Sequence, residues 1–299
     1  MKMIRTFILL LCILPASSSF CQSTTSQMEL ILKAELDSLA SGGNTINRYQ
    51  FDASNARYFL NFLTAYENSS RSIVQLRVLD LKSSIALGSI DTAIRQEVVL
   101  DLLHMLDRGA QVSQFASDLL TRFTEKDFSN KARQVIEAGF SRYQSNHNFI
   151  MICGIAQVKN LIPSLEKLAG GFDRNNTQTY FSQGWFSRLA LARMNATPNL
   201  DTLIAGVELF PEKSIRVSRL LKQLAYTRHI DAFRLLLNYL KSTDTVSDGG
   251  FTIPVCAYAT EFLSIYLDGF PVKTKYFNYS KEEIALGIAY LEKLIGKDS

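Results

Sequence analysis

The sequence predicts an all-α protein. Only 6 prolines and 15 glycines interrupt 299 residues, and this scarcity favours long helices over a sheet-rich fold with many turns. Apolar residues recur at helical spacing along most of the chain after Met28, and no stretch alternates long enough to predict a strand. Hydrophobic residues make up 47% of the chain and charged residues 20%, which is typical of a folded protein with a sizeable core.

Helix boundaries in the first half follow from capping residues and glycines. Asp52 and Asp91 each precede an apolar run, where an aspartate side chain can accept hydrogen bonds from the first free amides of a helix. Gly42-Gly43 and Gly88 end such runs, as glycine commonly does. The predicted helices cover 28–40, 52–67, 76–87, 91–106, 112–123 and a stretch from about 129.

The second half shows the same pattern more clearly. Apolar residues at 217, 220, 221, 224 and 225 form one helical face, and a turn at Thr227-Arg-His229 leads to a second face over 232–240. The last helix opens with Ser280-Lys-Glu-Glu283, a capping box in which the serine and the second glutamate satisfy each other's free amides.

A helix-pair theme recurs at a nearly constant distance. Placing Ala156, Ala192 and Ala225 in register gives spacings of 36 and 33 residues. Each alanine lies near a helix end, where a small side chain allows successive helix pairs to approach closely. Such a period predicts an α-solenoid of antiparallel helix pairs.

Four segments have the aliphatic and small residues expected where paired helices begin or end: Ile85–Gly88 with Ile94–Gln96, Lys131–Ile136, Ile162–Leu165 and Arg188–Ala192. These segments resemble HEAT-like repeats, including the short version in phycobilisome-lyase-type proteins. The resemblance covers most of residues 71–240 and implies a solenoid with an extended binding face. HEAT arrays also carry Asp and Arg residues at constant positions that link neighbouring repeats, and this sequence has no such regular set.

The N-terminus has the pattern of a secretory signal peptide. Lys2 and Arg5 precede the apolar run 7–14, and small residues follow, so cleavage is expected after Cys21. The protein is therefore expected in the bacterial periplasm or outside the cell, with 22–299 as a single solenoid domain, capping helices at 253–295 and no membrane span. In the alternative, Cys21 is the acylated first residue of a lipoprotein, but Phe20 before it departs from that signal.

The expected mature chain is nearly neutral. Removal of 1–21 leaves 30 basic and 28 acidic residues, a net charge of +2. Some HEAT-like proteins are DNA glycosylases, but nucleic-acid binding needs a concentrated basic face, so no nucleic acid is expected as a partner. Cys153 and Cys256 remain among apolar neighbours and are predicted to be unpaired thiols, although export would permit a disulfide.

No catalytic or metal-binding motif is present. The three histidines, His104, His147 and His229, are far apart and share no motif, so no catalytic, cofactor-binding or metal-ligating residue is predicted. The carboxylate pairs Glu125/Asp127 and Glu282/Glu283 are interpreted as capping a turn or stabilising the positive first turn of a helix, rather than as a catalytic acid–base pair. An enzyme is therefore the less favoured interpretation.

The longer connections are the best candidates for a binding surface. Polar segments with aromatic and basic residues occur at 170–186 and 268–279, and 242–250 is a further polar loop. In the alternative, Trp185 and Phe186 belong to the core of the next helix. The candidate interaction surface comprises Phe172, Arg174, Tyr180, Trp185, Lys273, Lys275, Tyr276, Phe277 and Tyr279.

These features predict an exported protein-interaction or scaffold module whose partner is another protein or an extended peptide. Two alternatives remain open: a hydrolase-like enzyme with its site in a concave groove, and a carrier of an apolar ligand between helix layers. Asp244-Thr-Val246 also resembles the Asp-Ser/Thr-aliphatic sites that some Gram-negative bacteria O-glycosylate, and it is expected in a loop.

Overall fold

A computed structural model describes residues 18–43, 46, 47, 49, 51–195 and 199–296, with the side chains of 18–24 and 53 excepted. The signal peptide predicted for 1–21 lies almost wholly outside the described residues. The described part of the chain is mostly helical, which confirms the all-α class. It divides into two compact units, 1–119 and 120–299.

The first unit contains helices whose ends follow the predicted caps. The Asp91 carboxylate accepts a 2.8 Å hydrogen bond from the Ala93 amide, and Asp52 precedes a 3-10 turn at Ala53–Asn55. Helix α3 packs against α1, α2 and α4. The helices are α1 (Ser18–Ser41), α2 (Ala56–Thr64), α3 (Ser72–Gly88), α4 (Thr92–His104) and α5 (Ala110–Leu120), the last of which reaches the boundary.

A buried ionic network joins α1 to α3. The Arg77 Nε donates to Glu35 Oε1 at 2.7 Å, and both side chains are buried. Glu35 also accepts hydrogen bonds from the Tyr49 hydroxyl at 2.7 Å and from the Asn47 amide at 3.0 Å. Burial alone would raise the pKa of Glu35, but these hydrogen bonds outweigh it and the pKa is lowered from 4.5.

The second unit continues with paired helices. Ser129 caps α6 through a 3.2 Å hydrogen bond from the Ala132 amide. The predicted capping box is confirmed, with 3.0 Å from the Ser280 amide to Glu283 and 3.2 Å from the Glu283 amide to Ser280. The helices are α6 (Asn130–Tyr143), α7 (His147–Ile155), α8 (Ile162–Ala169), α9 (Gln183–Arg193), α10 (Asn199–Leu209), α11 (Lys213–Ile215), α12 (Leu221–Tyr226), α13 (Ile230–Leu240), α14 (Val255–Tyr266) and α15 (Lys281–Gly296).

The prediction of a polar loop at 242–250 is wrong, because a β-hairpin occupies this region. Strands β1 (Thr245–Asp248) and β2 (Phe251–Pro254) pair antiparallel, with Val246 opposite Ile253. Gly249 and Gly250 take φ values of 56° and 84°, which suit a two-residue hairpin turn. Strands of four residues are too short for alternation to be recognised in the sequence. Thr245 of the possible glycosylation site is exposed but lies in a strand.

The helices of the second unit pack in two series. In the first series α7 contacts α9, α9 contacts α12, and α12 contacts α14. In the second series α10 contacts α13 and α13 contacts α15, while α8 packs on α9. Contacts between successive pairs are what stacked helix pairs require. The HEAT-like solenoid itself remains a prediction.

The first series allows a close approach between α7 and α9. A Cβ atom on Gly154 would meet the Ala190 Cα at 2.8 Å and the Ala190 carbonyl oxygen at 3.0 Å. Gly154 is therefore the small residue that permits this contact.

The repeat register also needs a correction at this helix. Left-handed residues end three helices at Gln157, Asn195 and Arg228, which places Gly154 rather than Ala156 in register with Ala192 and Ala225. The turns are thus 38 and 33 residues apart, whereas the alanines alone predict 36 and 33.

Substitution of Gly154 tests the close packing. We expect Gly154→Ala to lower the free energy of unfolding by about 1–3 kcal/mol, because the new methyl group forces α7 away from α9. The matched control is Gly170→Ala, where the nearest atom is the Lys167 carbonyl oxygen at 3.5 Å and the change should be below about 1 kcal/mol. Urea denaturation measures both, and equal effects would contradict the packing argument.

The Glu35 network predicts a pH dependence. Because the pKa of Glu35 is lowered on folding, its ionised form stabilises the protein above pH 4.5, and this contribution disappears as pH falls through the folded-state pKa. Glu35→Gln should cost about 1–3 kcal/mol at neutral pH, since Arg77 loses its buried carboxylate and keeps its ion pair with Asp80. Denaturation at several pH values should show this difference shrinking below pH 4.5, and a constant difference would refute the assignment.

Candidate functional site

The aromatic members of the predicted surface at 170–186 are buried. Phe172, Tyr180 and Trp185 are 6%, 5% and 0% exposed, so they cannot form a docking surface, and the alternative that Trp185 belongs to the core is confirmed. Their rings lie 5.0–5.2 Å apart, and the Tyr180 hydroxyl lies 2.8 Å from the Gly206 carbonyl oxygen. Arg174 is exposed on the loop above them.

The C-terminal members of the predicted surface lie on one loop. Tyr276 is 87% exposed, while Phe277 packs on the Tyr258 ring with centroids 4.5 Å apart. The buried Glu261 carboxylate holds the loop, because it accepts hydrogen bonds from the Tyr279 hydroxyl and from two backbone amides. Lys273 and Lys275 are exposed there, and Lys275 pairs with Glu283. Only Tyr276 presents a largely uncovered ring, so this loop offers a small surface.

A larger feature lies in the second unit, where three neighbouring hollows share wall residues. The aromatic pocket, of about 430 Å³, is lined by Phe181, Phe186, Met151, Tyr266, Arg219, Lys222, Gln223 and neighbouring polar residues. The neck, of about 50 Å³, shares Thr121 and Tyr266 with it. The turn pocket, of about 300 Å³, shares Arg193 and Arg228 with the neck. The three hollows are therefore neighbours, and together they are called the groove.

Three helices of the first series run in the same direction along the groove. On α7, residues 148 and 151 line the aromatic pocket and 155 lines the neck, and 157, just beyond the helix, lines the turn pocket. On α9, Phe186 lines the aromatic pocket and Arg193 lines the neck and the turn pocket. Residues 222 and 226 of α12, and 228 just beyond it, follow the same order. At the rise of a helix, the nine steps from residue 219 to residue 228 span about 13 Å, which matches about four residues of an extended chain.

Two unusual backbone segments border the aromatic pocket. Phe181 has φ of 62°, a left-handed conformation that costs a non-glycine residue about 1–2 kcal/mol. A π-helical turn at Arg216–Leu220 joins α11 to α12 and carries Ser218 and Arg219 into the pocket wall. Strained residues and π-turns both concentrate at functional sites.

The tryptophan of the core contacts the pocket through one hydrogen bond. The Trp185 indole Nε1 donates to Gln223 Oε1 at 2.6 Å. An indole nitrogen can only donate, so this contact fixes the amide of Gln223 with its oxygen toward the core. Trp185 is the sole tryptophan of the chain, so its fluorescence reports on a residue that lines the groove.

Basic residues concentrate at the neck. The Arg193 guanidinium lies over the Tyr226 ring at 5.3 Å, and its Nη1 donates to the Tyr226 carbonyl oxygen. Burial is the main cause that lowers the pKa of Arg193. Tyr226 in turn donates from its hydroxyl to the Met151 carbonyl oxygen at 2.5 Å, which ties α12 to α7. Arg228 forms an ion pair with Asp268 at 2.7 Å.

These contacts belong to a series that links successive helix ends. The Arg133 Nε donates to the Ala156 carbonyl oxygen at 2.7 Å, and Gln157 Nε2 donates to the Arg193 carbonyl oxygen at 2.9 Å. Arg193 then reaches Tyr226. Each side chain satisfies a carbonyl in the last turn of the next helix of the first series, where carbonyls lack intrahelical partners.

The described residues contain no further chemical centre. No group of three His, Cys, Asp or Glu side chains in this part of the chain could hold a metal ion, and no helix there is long and apolar enough to cross a membrane. Cys153 and Cys256 are unpaired, as predicted, and burial raises the pKa of both thiols. His147 stacks on Phe186 with centroids 4.4 Å apart, and His229 caps α13.

Sequence reasoning missed the basic wall of the groove. Arg219, Lys222 and Tyr226 lie at i, i+3 and i+7, on a different face from the apolar stripe of the same helix. That spacing could have identified a polar face. It could not have shown that Phe181 and Tyr266, which lie far away in the sequence, complete the same pocket.

The helix-end contacts predict a specific loss of stability. We expect Arg193→Met to lower the free energy of unfolding by about 1–2 kcal/mol, because the last turn of α12 loses its charged hydrogen-bond donor. Arg234→Met is the control, since Arg234 is half exposed and pairs with Asp231 three residues away. Urea denaturation measures both variants. Equal stabilities would show that Arg193 does not cap α12.

Comparison with protein-family models, with curated proteins and with solved structures found no match to this chain. The arguments about its function therefore start from the geometry and charge of the groove.

Proposed function

We propose that this chain is an exported interaction module, built as a HEAT-like solenoid, whose groove binds an extended segment of a partner protein. The observation that carries the proposal is the groove itself: three helices in parallel, with an aromatic pocket at one end and basic residues along its wall. The signal-peptide pattern at 1–21 supports export, and the repeat spacing and the pairwise helix contacts support the solenoid.

The dimensions of the groove suit a chain rather than a compact small molecule. Its three hollows follow one another along α7 and α12, and the neck between them is narrow. An extended peptide fills such a shape, with large side chains in the wider hollows and backbone at the neck. Met151, Phe181 and Phe186 offer the apolar contacts that anchor one side chain.

The two alternative functions have less support from the same geometry. A hydrolase would need carboxylates that converge in a cleft. The acids in the turn pocket are Glu125 and Asp268, and Asp268 is held by Arg228. A carrier of an apolar ligand would need an enclosed apolar cavity, whereas the groove hollows are open and have basic and amide groups in their walls.

Phe181 allows binding to be separated from folding. We expect Phe181→Gly to weaken peptide binding by about tenfold, because the pocket loses an aromatic side chain. Its free energy of unfolding should change by less than about 1 kcal/mol, because glycine relieves the left-handed strain and offsets the lost side-chain contacts. The probe is an immobilised pool of hexapeptides with phenylalanine or leucine at one central position, and retained protein is measured together with urea denaturation.

Phe181→Leu is the matched control, since leucine keeps both the strain and an apolar side chain, and it should retain most of the binding. Wild-type protein that is not retained by the pool would refute the proposed function. Retention that is unchanged in Phe181→Gly would show that peptides bind elsewhere on the protein.

A further inference from the structure

The charged groups of the aromatic pocket lack counter-ions. Arg219 and Lys222 are exposed, and no acidic side chain of the described residues forms an ion pair with either. Elsewhere in the same unit Lys213 pairs with Asp244 at 2.7 Å, and Lys241 pairs with Glu292 at 2.6 Å. The pocket wall contains two basic residues and no acidic one among its described lining. The pocket is therefore complementary to negative charge.

The neutral groups of the pocket add to its excess of donors. The Gln223 Oε1 atom accepts the hydrogen bond from the Trp185 indole, so the Nε2 group of Gln223 faces away from the core as a donor. This Nε2 group has no hydrogen-bond partner among the residues that the structure describes. A ligand in this pocket meets guanidinium, ammonium and amide donors, all of which require acceptor atoms. A carboxylate supplies two acceptor oxygens and the opposite charge.

The neck also favours a carboxylate ligand, farther along the groove. Arg122 is exposed and Arg193 is mostly covered, and within the described chain neither forms an ion pair with a carboxylate. Among the described residues, the Arg193 guanidinium contacts a carbonyl oxygen and an aromatic ring. The nearby Asp268 carboxylate acts on it through space and is itself paired with Arg228, so an incoming carboxylate would gain more at this partly desolvated site than at an open surface.

The spacing of these groups fits one extended segment. From Lys222 to Tyr226, over which Arg193 stacks, α12 rises about 6 Å. Side chains two residues apart on one face of an extended chain lie about 7 Å apart. Acidic residues at positions i and i+2 could therefore meet Lys222 and Arg193 in turn.

We infer that the partner segment is acidic, with an aromatic or large aliphatic anchor in the aromatic pocket and at least two carboxylates against Arg219, Lys222 and Arg193. This inference rests on the proposed function and names the chemistry of the partner. It commits to a protein segment, because the hollows follow one another along α7 and α12, as the side chains of an extended peptide do.

Three immobilised hexapeptide pools test the inference. Each has a fixed central phenylalanine, and its flanking positions are drawn from Asp and Glu, from Asn and Gln, or from Lys and Arg. We expect the full-length protein to bind the acidic pool about tenfold more tightly than the neutral pool at low salt, and the basic pool least. Raising the salt from 0.05 to about 0.5 M should remove most of the difference, because exposed charges are screened.

Charge reversal connects this preference to the groove. Arg219→Glu with Lys222→Glu should invert the order of the acidic and basic pools, while Trp185 fluorescence and urea denaturation confirm the fold. Lys167→Glu is the matched control, because Lys167 is exposed on α8 outside the groove and should leave the order unchanged.

The outcomes separate the two proposals. Failure of all three pools to bind would overturn the proposed function. Equal binding of the acidic and neutral pools, lost in Phe181→Gly, would keep the groove as a peptide site and overturn the acidic partner alone. A preference for the acidic pool that survives the double reversal would also overturn the inference, because the charge would then be recognised elsewhere.

Discussion

The second unit depends on how the ends of its parallel helices are satisfied. A helix exposes its last carbonyl groups, and when several helices end side by side these partial negative charges repel one another. Here Arg133 extends from α6 to a carbonyl at the end of α7, and Gln157 and Arg193 then extend from the ends of α7 and α9 to carbonyls at the ends of α9 and α12. The same contacts stabilise the termini and set the offset between neighbouring helices, so the groove that crosses them has a defined shape.

This arrangement also explains why the groove is basic. Side chains that cap carbonyl ends must be donors, and arginine has donors to spare after one hydrogen bond is made. Arg193 uses its guanidinium on Tyr226 and still borders the neck and the turn pocket. A group needed for folding thus also shapes the electrostatic potential of the binding surface. The aromatic pocket differs, because Arg219 and Lys222 contribute to no described helix end.

The sequence was sufficient for the fold class and for many of the helix boundaries. Asp91, Ser129 and the Ser280–Glu283 box act locally, so their roles can be recognised from neighbouring residues alone. The hairpin at 245–254 was missed because four-residue strands give too little periodicity. The buried ring cluster of Phe172, Tyr180 and Trp185 was placed on the surface because an aromatic loop and an aromatic core have the same composition.

The groove lay beyond sequence reasoning for a different reason. Its walls join residues from 121 to 268, and the series of helix-end contacts uses Arg, Gln and Arg at unequal intervals.

The π-turn at 216–220 suggests how such a wall can change over evolution. A π-turn holds one extra residue relative to an α-helix, so gain or loss of a single residue there would rotate the side chains before it by about 100°. Leu221 and Leu224 would keep their positions in the core, and a different residue would face the groove. A one-residue change at this turn would therefore alter the groove wall, and with it the partner that binds, without disturbing the core.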